Sequence, residues 1–317
     1  MLSRTANHLY WLGRYLERAE TTARLLEVGG RNALLPNLSG GHRNEWEAVL
    51  QANNGLEAFR AKYSDPSQRN IETFLFFDRD NPSSIASCIN LVRENARVVR
   101  TALTMRVWDA INSCYQELQE MSRTERSQIS LTDLTDWTMR TCAEIRGAIE
   151  ATQLRNDGYH FLNVGYAIER ADNTARLLNV KYYVLLPSVQ YVGSGLDNYQ
   201  WVTLLRSMSA HRAFIWTYDG EVTPAKIAHF LILNRLFPRS LLTSMEMASD
   251  HLDHLARGYG RGTEAQQRIR NIVAELAELQ VEDVFDEGLH EFLLRFIADN
   301  AALAGCVEEV YLQGEAA

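Results

Sequence analysis

Along the first thirty residues apolar side chains recur at Leu9, Leu12, Leu16, Ala19, Ala23 and Leu26, in steps of three and four. Such spacing lines one stripe of an α-helix that packs on other helices. The same stripe returns at Phe161, Val164, Ile168, Ala171, Ala175 and Leu178. The small pairs Ala19/Ala23 and Ala171/Ala175 predict a close approach by a neighbouring backbone. Further helices are predicted over 44–62, 68–77, 83–121 and 131–154, then over 197–218, 223–234, 239–257, 263–279 and 283–312. Pro66, Pro82, Pro224 and Pro238 stand where helices should begin. Pro187 with Gly193 and Gly195, and the glycine-rich stretch 258–262, mark loops. The only β-like run, 182–186, is more simply the end of a helix. The pattern predicts an all-α fold, a helical bundle forming a single domain over 1–317.

The chain resembles itself. Residues 8–28 align with 160–180, and eleven of those 21 positions are identical, among them Gly13/Gly165, Glu17/Glu169, Arg18/Arg170, Ala19/Ala171 and Arg24/Arg176. Trp46 then matches Trp201 and Phe59 matches Phe214, and Asp78-Arg79-x-x-Pro82-x-Ser84 matches Asn234-Arg235-x-x-Pro238-x-Ser240. Offsets that drift by a few residues are what short loop insertions produce. The expectation is two tandem, pseudo-symmetric repeats, roughly 1–130 and 155–290, with a C-terminal helix over 283–312.

The polar positions of the two opening helices suggest the chemistry. On a helical wheel Glu17 lies on the same side as Thr21 and Arg24, as Glu169 does with Asn173 and Arg176. Arg18 and Arg170 lie on another face with Thr22 and Thr174. A helix with so many specified faces should be central. Two readings follow. Glu17 and Arg24 pair in interior salt bridges that fix how the repeats dock, because isolated buried charges are expensive. Alternatively the arginines Arg18, Arg24, Arg170 and Arg176 line a cleft for an anionic or amide-bearing ligand, the planar guanidinium being suited to two oxygens at once, with Glu17 or Glu169 as candidate acid/base groups. A further polar helix occurs only in the first repeat. It carries Arg93, Glu94, Asn95, Arg97 and Arg100, followed by Trp108 and Asn112, and is either a second ligand-binding face or a solvated one.

Other chemistry falls away. His251 and His254 have a chelating spacing, but no further Cys or His completes a set, so no metal and no cofactor is expected. His8 and His160 read as core hydrogen-bonding residues. Arg257-Gly258-Tyr259-Gly260-Arg261-Gly262 lacks the Lys-Ser/Thr of a phosphate loop. The four dispersed cysteines read as packing residues in a reducing compartment. A formal net charge of −8 argues against nucleic acid as a general partner. The N-terminus lacks a signal-peptide core and no run reaches the length of a membrane span, so a cytoplasmic, membrane-free protein is expected.

The strings Leu16-Glu17-Arg18-Ala19-Glu20-Thr21-Thr22-Ala23-Arg24-Leu25-Leu26 and Ile168-Glu169-Arg170-Ala171-Asp172-Asn173-Thr174-Ala175-Arg176 resemble the signature of the bacterial alpha-E domain family, named for its helical fold and Glu-Arg motif. The stretch from Arg93 to Arg100 with Trp108 and Asn112 is similar to another of its segments. The resemblance implies a companion of circularly permuted ATP-grasp ligases, near transglutaminase-like proteins, in ATP-dependent amide or peptide bond formation. This chain carries no fused ATP-grasp segment, so the ligase partner would be a separate protein. The functions to be weighed are an accessory or substrate-binding partner of such a ligase, a stand-alone enzyme acting on an anionic peptide-like or amide metabolite, and a structural dimerisation module that forms a homo-oligomer.

Overall fold

A computed structural model describes residues 1–34, 45–183, 195–260 and 262–313. Fifteen α-helices and no strand occur among them. The first seven are α1 (Ser3–Ala33), α2 (Glu45–Ala52), α3 (Leu56–Lys62), α4 (Gln68–Glu72), α5 (Ile85–Val98), α6 (Met105–Met121) and α7 (Leu131–Thr152). Then come α8 (Asp157–Tyr183), α9 (Gly195–Ser207), α10 (His211–Tyr218), α11 (Pro224–Ile232), α12 (Leu241–Tyr259), α13 (Glu264–Glu278), α14 (Val281–Glu287) and α15 (Leu289–Val307). Single π-helical turns extend α4 over Thr73–Phe77 and α15 over Glu308–Leu312.

Four predicted helices are each two, and local chemistry explains every break. The 44–62 prediction is interrupted after α2, where Asn54 takes a left-handed φ of 57° and the Gly55 amide closes on the Leu50 carbonyl at 2.8 Å. The 197–218 prediction breaks the same way at Ser209, with φ of 56° and the Ala210 amide on the Leu205 carbonyl at 2.8 Å. The 83–121 prediction ends at Val98 and restarts after Thr104, whose hydroxyl caps the Val107 amide. Gly288, at φ of 99°, divides 283–312 into α14 and α15. Of the 182–186 run, α8 includes residues 182 and 183; 184–186, Pro187 and Gly193 lie outside the described residues.

The prolines do mark starts. Pro224 occupies the first turn of α11 behind the Thr223 cap, and Pro82 and Pro238 each stand two residues before a serine cap, Ser84 and Ser240. Around those caps the bonding recurs between halves. Asp78 and Asn234 each accept from the amide two residues on, Ser84 meets Ser87 as Ser240 meets Thr243, and Thr22 and Thr174 donate to the carbonyls of Ser83 and Arg239.

The two Glu-Arg helices form the centre. They run parallel, with Met1 beside Asp157 at one end and Val28 and Asn32 beside Val180 and Lys181 at the other. Helix α1 also packs on α5, α7, α2 and α9, and α8 on α12, α15, α2 and α9. Every residue from Leu16 to Leu26 is buried apart from Arg18, and every one from Phe161 to Ala171. The two backbones meet at Gly13 and Gly165, and Ala19, Ala23, Ala171 and Ala175 are all fully buried along the same helices. A Cβ on Gly13 would lie 2.2 Å from the Leu162 carbonyl oxygen, and one on Gly165 2.2 Å from that of Tyr10. Backbone cannot yield as a side chain can, so a methyl group there must push α1 and α8 apart.

All four cysteines are free and buried, and burial pushes the Cys88 and Cys114 thiols up to about 12. No helix among the described residues is long and apolar enough to cross a membrane.

Gly13→Ala and Gly165→Ala should each destabilise the fold by about 3 kcal/mol or more, the severe end of overpacking. A Cβ added at Gly147, in α7, would meet no atom within 4 Å, so Gly147→Ala should stabilise the fold by about 0.5–1 kcal/mol. Urea unfolding of the three variants checks the contrast; equal effects would show that the helix contact is not tight.

Candidate functional site

The Glu-Arg dipeptides face each other across the α1–α8 seam. Successive residues on a helix point about 100° apart, so each parallel helix can offer its acid and its base to different neighbours. Glu169 on α8 is taken by α1. Arg18 binds it as a fork, Nε to Oε1 at 2.6 Å and Nη2 to Oε2 at 3.2 Å, and Arg14 adds Nε to Oε2 at 2.8 Å. Arg14 also lies over the Trp11 ring and 3.6 Å from Glu308 in the last π-helical turn. Burial alone would raise the Glu169 carboxyl, but Arg18 and Arg14 outweigh it and hold the group at about 2.

The reciprocal site is larger. Glu17 is completely buried and accepts from Arg239 Nη1 at 2.6 Å and from Arg146 Nη2 at 3.3 Å. Arg170, the mate of Arg18, comes only to 3.7 Å of Glu17. Its guanidinium is drawn instead to the Pro238 carbonyl at 3.1 Å and to the Tyr166 hydroxyl. Glu20, one turn on, accepts from Arg24 Nη2 at 2.6 Å and from Arg146 and Arg239. Arg24 continues to the Ser207 carbonyl and to Ser209 Oγ at 3.3 Å, tying α1 to the end of α9. Burial would raise Glu20, yet Arg239, Arg146 and Arg24 together hold it well below the usual carboxylate range.

Four guanidiniums thus meet two carboxylates. The surplus is spread over π-faces and carbonyl oxygens: Arg146 and Arg170 lie 4.4 and 4.2 Å from the Tyr166 ring centroid. Burial, and then the neighbouring Arg239, push Arg24 below its ordinary value. Burial likewise raises the Tyr166 phenol, with Glu17 adding to it.

One pairing expected from the helical wheel does not form. Glu17 does not bond Arg24; Arg24 reaches Glu20, at the i,i+4 spacing that side chains span, and Glu17 two turns away is left to Arg239. Arg176 makes the matching i,i+4 pair with Asp172 at 2.6 Å, partly exposed. Arg14, Glu20, Arg146 and Arg239 belong to the site without having been singled out from sequence. Glu20 could have been, since its mate Asp172 is also acidic. Arg239 stands where the first half has Ser83, and Arg14 where the second has Tyr166, so comparing halves hides both. Nothing in the spacing of α7 marks Arg146.

The other polar face lies elsewhere. Arg93 donates to Asn112 Oδ1 at 3.2 Å and stacks 4.4 Å from the Tyr115 ring, Arg97 pairs with Glu94 at 2.6 Å, and Arg100 lies over Trp108 at 4.9 Å. Asn95 Oδ1 contacts His8 Nδ1 at 2.7 Å. Among the described residues no hydrogen bond or ion pair joins this face to Glu17 or Glu169. In the second half His160 takes the place of His8 and meets His251 Nδ1 at 2.9 Å, with His254 stacked on it at 4.5 Å. No group of three His, Cys, Asp or Glu among the described residues is arranged to hold a metal. Gly260 ends α12 at φ of 66°.

Removing one partner from a buried charge set costs about 3–5 kcal/mol, against about 0–1 for an exposed pair. Glu169→Gln and Arg239→Met should therefore melt far below the native chain, and Arg97→Ala within a degree or two of it. Acid should act in two windows. Burial, then His160 and His254, lower His251 from 6.5 to about 4; Arg155, Asp157 and Arg257 are the charged groups bearing on this cluster. Its contribution is complete above about pH 6.5 and declines as pH falls towards 4, because the unfolded imidazole binds its proton first. Glu169, held at about 2 against 4.5, loses its contribution as pH falls from about 4.5 towards 2. Denaturant midpoints measured against pH should show both declines, with His251→Asn flattening only the upper one.

A family model for Alpha-E, described as a predicted alpha-helical domain with a conserved ER motif, matches residues 1–312. No curated protein and no solved structure matches the chain. The doubled Glu-Arg dipeptide at the α1–α8 seam and a match reaching the last π-helical turn place the chain in the Alpha-E family.

Proposed function

We propose that this chain is a helical accessory partner of a separately encoded ATP-grasp-type amide ligase, presenting a substrate or docking surface instead of supplying catalytic groups. The observation that carries this reading is the state of the two candidate glutamates. A general acid or base needs a pKa near the working pH and access to the proton it moves. Glu169 is 2% exposed and Glu17 0% exposed, and both are clasped by arginines. This disfavours the stand-alone enzyme that uses them. Their chemistry suits a fastening role, in which charge pairs fix the register of the two central helices.

Contact with a partner or an anionic peptide falls to the α5–α6 face. Arg97 is 63% exposed at its side chain, and Arg93, Arg100 and Trp108 extend the same face. Arginine flanked by aromatic rings is the composition of interface hot spots. The bonding that recurs around Ser84 and Ser240 supports reading the two halves as copies of one ancestral unit, of which only the first kept this face.

Co-expression of the chain with a candidate ATP-grasp amide ligase from the same organism tests the proposal. A complex should form, ligase turnover should rise in its presence, and Arg93→Ala/Arg97→Ala should reduce both at least tenfold while the melting temperature holds. No complex and no change in turnover would sink it. Amide-forming or amide-cleaving activity of the pure chain that Glu17→Gln abolishes without unfolding it would favour the enzyme.

A further inference from the structure

At the far end of the α1–α8 seam a small cavity is lined by Val28 and Asn32 of α1, Val180 and Lys181 of α8, and Gln200 and Leu204 of α9. Two of these carry buried polar atoms with no hydrogen-bond partner among the described residues: Asn32 Oδ1 and Gln200 Nε2, on residues each only 3% exposed. The orientation of Gln200 follows from chemistry. Its Oε1 accepts from the Lys181 ammonium, which can only donate, so the NH2 end is the one turned away from Lys181. Lys181 is itself seated on Asp197 at 2.7 Å and lies 5.4 Å from the Trp201 ring. The corresponding step of α1 is Gly29, against which the Trp46 ring packs directly.

The cavity therefore presents one acceptor and one donor that do not reach each other. A group satisfying both must accept from Gln200 and donate to Asn32. A carboxylate cannot donate and an ammonium cannot accept, so a simple anion would leave Asn32 Oδ1 unpaired and a simple cation would leave Gln200 Nε2 unpaired. The room available to the centre of a water-sized sphere is about 10 Å³, close to the least that holds one such group. We infer that this cavity is a binding site for a single hydroxyl group that bridges Asn32 and Gln200, supplied either by a sequestered water molecule or by the alcohol tip of a small molecule. The site is formed by the C-terminal ends of α1 and α8 and the middle of α9, and none of its lining residues bonds Glu17 or Glu20.

Nuclear Overhauser measurements on the full-length chain test this at the Gln200 side-chain NH2. In plain buffer a cross-peak to water is expected. Adding methanol distinguishes the sources: a methyl cross-peak means that an alcohol tip enters, and an unchanged water peak means that the water is sealed in. Absence of both, or displacement of the Gln200 signal by bromide, overturns the inference. Asn32→Leu gives an independent sign. With a bridging hydroxyl it leaves that group short of a partner and lowers Tm by about 2–6 °C. Were the cavity dry, the same change would remove an orphaned acceptor and raise Tm.

Discussion

Backbone-to-backbone contact between two long helices, at Gly13 and Gly165, sets the terms for everything else in this molecule. Only where no Cβ intervenes can α1 and α8 lie so close that Arg14 and Arg18 of one reach Glu169 of the other. The apolar stripes and the charges answer the same geometry. The stripes drive the helices together without fixing their sliding, and the guanidinium–carboxylate forks fix it, because a shift by one residue would leave buried charges unpaired.

The two sides of the seam differ in how they meet this demand. Around Glu169 acids and bases are nearly balanced, with Glu308 closing the account for Arg14. Around Glu17 and Glu20 guanidiniums outnumber carboxylates, and Tyr166 and the carbonyls of Pro238 and Ser207 take up the excess. The second arrangement recruits α7 through Arg146 and the loop before α12 through Arg239. It therefore couples five segments, α1, α7, α8, the end of α9 and the loop before α12, where the first couples chiefly α1, α8 and the chain end.

Much of the architecture was legible because periodicity reports burial. The three-and-four spacing identified both central helices, and proline positions marked the starts of α5, α11 and α12. The breaks inside 44–62 and 197–218 were not legible, since Asn54 and Ser209 adopt left-handed backbone without glycine. Pairing was harder still. A helical wheel shows which residues share a face but not how far a side chain leans or what stands opposite. Glu17 was therefore matched to Arg24 on its own helix, when its partners come from residues 146 and 239, fixed only by tertiary packing. The family description likewise records the dipeptide and leaves its cross-helix exchange to the structure.

The sealed thiols have a practical corollary. Because all four sulfhydryls are buried, the native surface offers little for a maleimide or a disulfide exchanger to attack. A cysteine placed on an outward position of α5 or α6 would thus be a unique attachment point for a fluorophore or spin label. Conversely, alkylation of the natural four would clock how often the bundle comes apart.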